Sequence, residues 1–92
     1  MYYVYMLSCA DGSFYVGSTQ NLATRIKTHD DGRGAAHTFK HRPFRLVYSE
    51  KFFSRTDASA RERQLKRWSR QKKAALIAGN LKRLKHLSKR RS

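Results

Sequence analysis

Two side chains in this 92-residue sequence stand where their chemistry is not that of an ordinary surface. Glu62 shares a helical face with Ala58 and Leu65, the apolar side of a segment otherwise crowded with cations. A carboxylate taken out of water costs on the order of several kcal/mol unless it is paired or bound to a cation. Three roles fit: a capping box with Ser59, an ion pair with an inward Arg25, or a metal ligand. One glutamate is enough to hold a single Mg²⁺, which keeps several waters and takes phosphate oxygens for the rest of its shell. Arg25 is the second unusual group. On a helix that starts near Leu22, Arg25 and His29 fall on the same face as Leu22 and Ile26, so both should point toward the rest of the fold. An inward guanidinium demands an anion.

The remaining composition narrows the chemistry. Asp11, Asp30, Asp31, Glu50, Asp57 and Glu62 are all the acids there are, and most fall at expected turns or surfaces, so a two-metal phosphodiesterase centre is disfavoured. No serine-hydrolase motif, Walker loop or zinc-ligand spacing is present. The lone Cys9 excludes an intramolecular disulfide and reads as a small, half-buried strand residue. Against the six acids stand 21 Lys and Arg, a formal net charge of +15. Such self-repulsion calls for a polyanionic partner, and nucleic acid comes first because neutralised phosphates release counterions. A membrane surface is the weaker rival. No apolar run approaches the roughly 20 residues that span a bilayer and no signal-peptide pattern opens the chain, so the expected location is the cytoplasm.

The charge is divided unevenly: residues 1–54 carry net +3 and residues 55–92 carry net +12. The first half therefore reads as scaffold. Residues 2–7 suit a strand buried on both faces, and 14–17 resume the strand pattern after the turn signal Asp11, Gly12. Two loops fit this hairpin. A two-residue loop at 11–12 places Tyr5 and Tyr15 on opposite faces, whereas a three-residue loop at 10–12 with a left-handed Gly12 places them on the same face. Asn21 can cap a helix from 22 to about 30, and Gly32 and Gly34 then open a loop that contains His37 and His41. Residues 44–53 read as a third strand on which Phe44, Leu46, Tyr48 and Phe52 alternate inward. Helices follow at 56–68 and 70–78, broken at Ser69 and stopped by Gly79. Lys66, Arg67, Arg70, Lys72 and Lys73 line this pair as a surface suited to phosphates. Residues 81–92 form a basic extension beyond a single domain of 1–80: a short amphipathic helix on Leu81, Leu84 and Leu87, fraying from Ser88.

Tyr3, Val4, Tyr5 and, ten residues later, Tyr15, Val16, Gly17 resemble the paired motifs of the GIY-YIG nuclease family, with Arg25 and Glu62 at the expected order and spacing. Gly32 to Ala35 and the run from Arg61 to Lys73 are similar to the small stand-alone bacterial members. Tyr3 and Val4 depart from the glycine and isoleucine of the first motif, while Tyr5 is retained.

The resemblance implies an α/β (α+β) domain with a small three-stranded mixed or antiparallel sheet flanked by helices. It implies metal-dependent hydrolysis of DNA phosphodiesters, with branched or damaged DNA as substrates to test. Arg25 would stabilise phosphoryl charge, Glu62 would hold one Mg²⁺ or Mn²⁺, and Tyr5, Tyr15 and His29 are the candidates for activating water. A phenol with a reference pKa of about 10 needs more help in that role than a histidine near 6.5. The three-residue hairpin loop becomes an expectation, because both tyrosines should face Arg25 and Glu62. The competing reading is a non-catalytic DNA- or RNA-binding module on the same scaffold, and a third is a protein that docks on an acidic partner through residues 61–91.

Overall fold

The computed structural model describes residues 1–30 and 44–89, with side chains described for 1–27 and 44–87. Three strands, β1 (Tyr2–Cys9), β2 (Phe14–Thr19) and β3 (Phe44–Phe52), form an antiparallel sheet in the order β2-β1-β3. Four helices accompany it: α1 (Leu22–Asp30), α2 (Arg55–Lys66), α3 (Arg70–Ile77) and α4 (Leu81–Lys89). The central position of β1 explains its composition, since Val4, Tyr5, Met6 and Leu7 are all fully buried and only a strand covered on both faces has use for such a run.

The hairpin takes the three-residue loop. The Cys9 amide donates to Ser13 O and the Gly12 amide to Cys9 O, both at 2.9 Å, and Gly12 adopts φ +86°. A side chain rarely tolerates that conformation. Asp11 Oδ1 accepts from the Ser13 amide and hydroxyl and so stiffens the turn. The register that results sets Tyr5 opposite Gly17 and Leu7 opposite Tyr15, which puts both tyrosines on one face. The other face carries Val4, Met6 and Val16, and these pack against Ala58 and Leu65 of α2. Tyr2, Tyr48, Phe52, Trp68, Leu76 and Ile77 close the edges of this core.

β3 departs from simple alternation. Its register shifts between Met6 and Leu7, so that Met6 pairs with Tyr48 but Leu7 with Leu46, and Val47 is the extra residue. The bulge turns Val47 onto the core and leaves Leu46 42% exposed, against the expected inward Leu46. Cys9, expected half-buried, is 5% exposed. Helix limits shift by one or two residues. Ser54 caps α2 by accepting from the Asp57 amide, and Ser69, expected as a break, caps α3 by accepting from the Lys72 amide. Ser88 and Lys89, expected to fray, belong to α4; Gly32, Gly34, His37 and His41 lie outside the described residues.

Glu50, opposite Val4, ties β3 to α2. Arg61 donates through Nε to Glu50 Oε1 at 2.9 Å and through Nη2 to Oε2 at 3.0 Å, and the Tyr48 hydroxyl donates to Oε2. Burial alone would raise the Glu50 carboxyl, but these donors outweigh it and hold it below its ordinary 4.5. A depressed carboxyl contributes stability above its unfolded pKa and loses that contribution as pH falls through the folded value. Glu50→Gln should therefore cost about 1–3 kcal/mol at neutral pH. In denaturant melts the gap from wild type should narrow as the pH drops below the ordinary carboxylate range; a pH-independent gap would refute the assignment.

Candidate functional site

Tyr5 reaches across its neighbour on β2. Any Cβ at Gly17 would stand 2.6 Å from Tyr5 Oη, 2.8 Å from Cζ and 3.1 Å from Tyr15 Cε2, distances no side chain tolerates. Glycine is thus required because the phenol crosses the backbone there. The two tyrosine rings lie 6.3 Å apart between centroids and are tilted by 45°. Burial is the main cause that pushes the Tyr5 hydroxyl up to about 12, with Tyr15 adding to it. A hydrogen bond with Arg25 opposes the rise without cancelling it.

Glu62 approaches the β2 edge from α2. Ser18 Oγ donates to its Oε1 at 2.6 Å, and Lys66 Nζ sits 2.8 Å from Oε2. Burial acts to raise the carboxyl, but Lys66, Ser18 and the charge of Arg25 bring it below its ordinary value. Of the roles considered for Glu62, the capping box fails because Ser59 lies inside α2 and Ser54 is its cap. The ion pair forms with Lys66, one turn along the same helix, in place of Arg25.

Arg25 comes from α1, capped by Asn21 whose Oδ1 accepts from the Thr24 amide at 3.0 Å. It is exposed, unlike the inward guanidinium expected, yet its charge acts on both Tyr5 and Glu62. It helps to line a cleft of about 460 Å³ with Tyr2, Ser18, Asn21, Arg55 and Ser59. His29 is in the last turn of α1, and its side chain lies outside the described residues. The expectation that both tyrosines face Glu62 is not met: Tyr5 and Tyr15 share one sheet face, whereas Glu62 comes from α2 on the other face, through Ser18, and the charges of Arg25 and Glu62 reach Tyr5 across the β2 edge.

Residues 1–75 match the GIY-YIG catalytic domain. The chain belongs to the GIY-YIG family. It is 46% identical over 76 residues to a UPF0213 protein of Staphylococcus haemolyticus, covering 83% of this chain and 93% of that one. A UPF0213 protein of Natronomonas pharaonis is 46% identical over 77 residues, covering 84% and 91%. The solution structure of a Bacillus halodurans UPF0213 protein matches with a TM-score of 0.56 at 44% identity, over 85% of this chain and 84% of that one. The solution structure of a protein from E. faecalis matches with a TM-score of 0.59 at 36% identity, over 87% of this chain and 86% of that one. GIY-YIG domains are generally nuclease domains that act on nucleic acid and typically use a divalent metal. No helix among the described residues is long and apolar enough to cross a membrane.

Within this GIY-YIG domain the cations marked for phosphate contact are in different situations. Lys66 holds Glu62; Arg70 donates to Gly12 O at 3.0 Å, covers the Phe14 ring and straps the hairpin turn. Lys72 is 7% exposed, with Nζ 4.3 Å above the centre of Trp68, so it is a packing residue as much as a charge. Lys73 is half-buried, and burial lowers its pKa. Arg67 is exposed beside Arg63, which the sequence reading passed over. That reading also missed Ser18 and Arg55, because neither lies in a periodic or motif position that marks it.

The donor set suits a hard cation. A half-buried carboxylate bonded by a hydroxyl that itself lines the cleft fits one Mg²⁺ that retains most of its waters. Lys66 is 55% exposed and so is free to swing away from the carboxylate. Among the described residues no group of three or more His, Cys, Asp and Glu forms a closed metal cage.

Gly17→Ala is the sharpest structural check. Its methyl must displace the Tyr5 hydroxyl, so the Tyr5 ring resonances should shift and the melting temperature should fall, while Ser18→Ala leaves Tyr5 in place. Unchanged Tyr5 resonances in Gly17→Ala would refute the packing.

Proposed function

We propose that this chain is a metal-dependent endonuclease that hydrolyses DNA phosphodiester bonds. The observation that carries the reading is that Arg25, whose charge acts on both Tyr5 and Glu62, lines with Ser18, the hydroxyl that holds Glu62, a cleft of about 460 Å³. Chain residues divide the work. Arg25 binds the phosphoryl oxygens and stabilises the charge that grows on them as water attacks. Tyr5, with its hydroxyl pushed up to about 12, enters as a neutral phenol whose oxygen can accept from the Arg25 guanidinium and so help to aim it. That leaves Tyr15 and His29 as candidates for taking the proton from water. Glu62 and Ser18 are the residues that would hold the metal. A Mg²⁺ or Mn²⁺ bound there supplies Lewis-acid stabilisation of the phosphate and leaving oxygens. With a metal on Glu62, Lys66 would be released toward the nucleic-acid backbone beside Arg67, and Arg55 lines the same cleft as Arg25.

One observation favours a second reading, a non-catalytic nucleic-acid-binding module. Glu62 has both oxygens engaged by Ser18 and Lys66, a satisfied structural pair in its own right. Cleavage of branched, flapped and linear DNA in the presence of Mg²⁺ separates the two. For the nuclease, Glu62→Ala and Arg25→Ala should each lower the rate by about 10²-fold or more while binding persists, and chelation should abolish cleavage reversibly. Equal rates in wild type and both variants would refute it. Binding without cleavage by any of the three would establish the module.

A further inference from the structure

The chain continues past its match to the family into α4, and the junction that aims this helix is well defined. Gly79, at φ +72°, ends α3. The Asn80 amide donates to Ala75 O at 2.9 Å, its Oδ1 accepts from the Arg83 amide at 3.0 Å, and its carbonyl accepts from the Leu84 amide at 3.1 Å. One residue thus closes α3 and caps α4, which gives the second helix a fixed departure. Leu84 and Leu87 are half-buried, while Lys82, Arg83 and Lys85 are exposed.

Those charges have little to answer them within the chain. Glu62 is the last acid in the sequence, and residues 63–92 hold twelve Lys and Arg with no Asp or Glu. Among the described acids, Glu50 is engaged by Arg61 and Glu62 by Lys66. Helix geometry gathers Lys82, Arg83 and Lys85 within about one turn, where mutual repulsion is relieved only by an external anion.

We propose that α4 is a second phosphate-binding element that grips the nucleic-acid backbone separately from the Arg25–Glu62 cleft. The inference rests on reading the chain as a nucleic-acid-binding protein, and it holds whether or not the cleft cuts. An anionic membrane surface suits α4 less well. Insertion needs a continuous apolar face, but Leu84 and Leu87 are half-buried in the fold and Leu81, 71% exposed, is left as the freely exposed leucine. Backbone contacts of this kind are independent of base sequence, and each releases a counterion.

The test is a salt titration of full-length protein binding to a fluorescent DNA duplex, read as log K against log salt. The triple variant Lys82→Gln, Arg83→Gln, Lys85→Gln should lose affinity, with a slope smaller in magnitude by up to about 2.7, that is about 0.9 per lost phosphate contact. Its melting temperature should match wild type, and Lys82→Arg with Lys85→Arg should keep the wild-type slope. An unchanged slope in the triple variant overturns the proposal. So does a triple variant that loses binding to anionic phosphatidylserine vesicles yet binds the duplex as wild type does, which would assign α4 to membranes. A protein that never cleaves but shows the slope change removes the nuclease reading and supports the role of α4.

Discussion

The register of the β1–β2 hairpin is the constraint on which the rest of the site depends. Side chains alternate faces along a strand, so a loop shorter by one residue would carry the whole of β2 to the opposite face relative to β1. Gly12 in its left-handed conformation permits the three-residue loop. Tyr5, Tyr15 and Gly17 then share one face, while Val16 and Ser18 share the other, Val16 with the α2 core and Ser18 with Glu62. Adjacent residues of one edge strand thus serve both sides of the sheet. The phenol reaches the edge by crossing Gly17, and the carboxylate reaches it from α2 through Ser18.

Charge is the second organising constraint. With six acids among 21 Lys and Arg, the position of each acid matters. Glu50 fixes Arg61 and thereby α2 against β3; Glu62 holds Lys66 at the sheet edge. Cations without a carboxylate are managed by other means, Lys72 by the Trp68 ring and Arg70 by the Gly12 carbonyl and Phe14. The exposed remainder, including Arg63, Arg67 and the cations of α4, is the surface that the proposed backbone contacts would use.

The elements were legible in the sequence because their signals are local. The apolar run of β1, the Asn21 cap of α1, Ser69 between α2 and α3 and the stop at Gly79 each rest on a few neighbouring residues, and each lies within one or two positions of its expected place. β3 shows the limit. Its alternation favoured an inward Leu46, but the bulge at Val47 arises from pairing with β1, a partner some forty residues earlier in the chain. The candidate site, Tyr5, Tyr15, Arg25, His29 and Glu62, was named from residue types, spacings and the family resemblance. The Ser18 partner of Glu62 was not, since it is brought there by the packing of α2 on β2, whereas Lys66 lies one turn along the same helix.

The sequence by itself determined a basic α/β chain, the hairpin and helices, and the family motifs that make Tyr5, Tyr15, Arg25 and Glu62 the candidates for chemistry on a phosphate. Tertiary structure alone decided which loop the hairpin uses, how far burial and Arg25 set the Tyr5 hydroxyl, and which cations are engaged and which exposed. The division has a physical cause. Propensity and capping are settled over a few residues, whereas a pKa, an ion pair or a strand register depends on atoms brought together from distant segments, and their distances do not exist until the chain is packed.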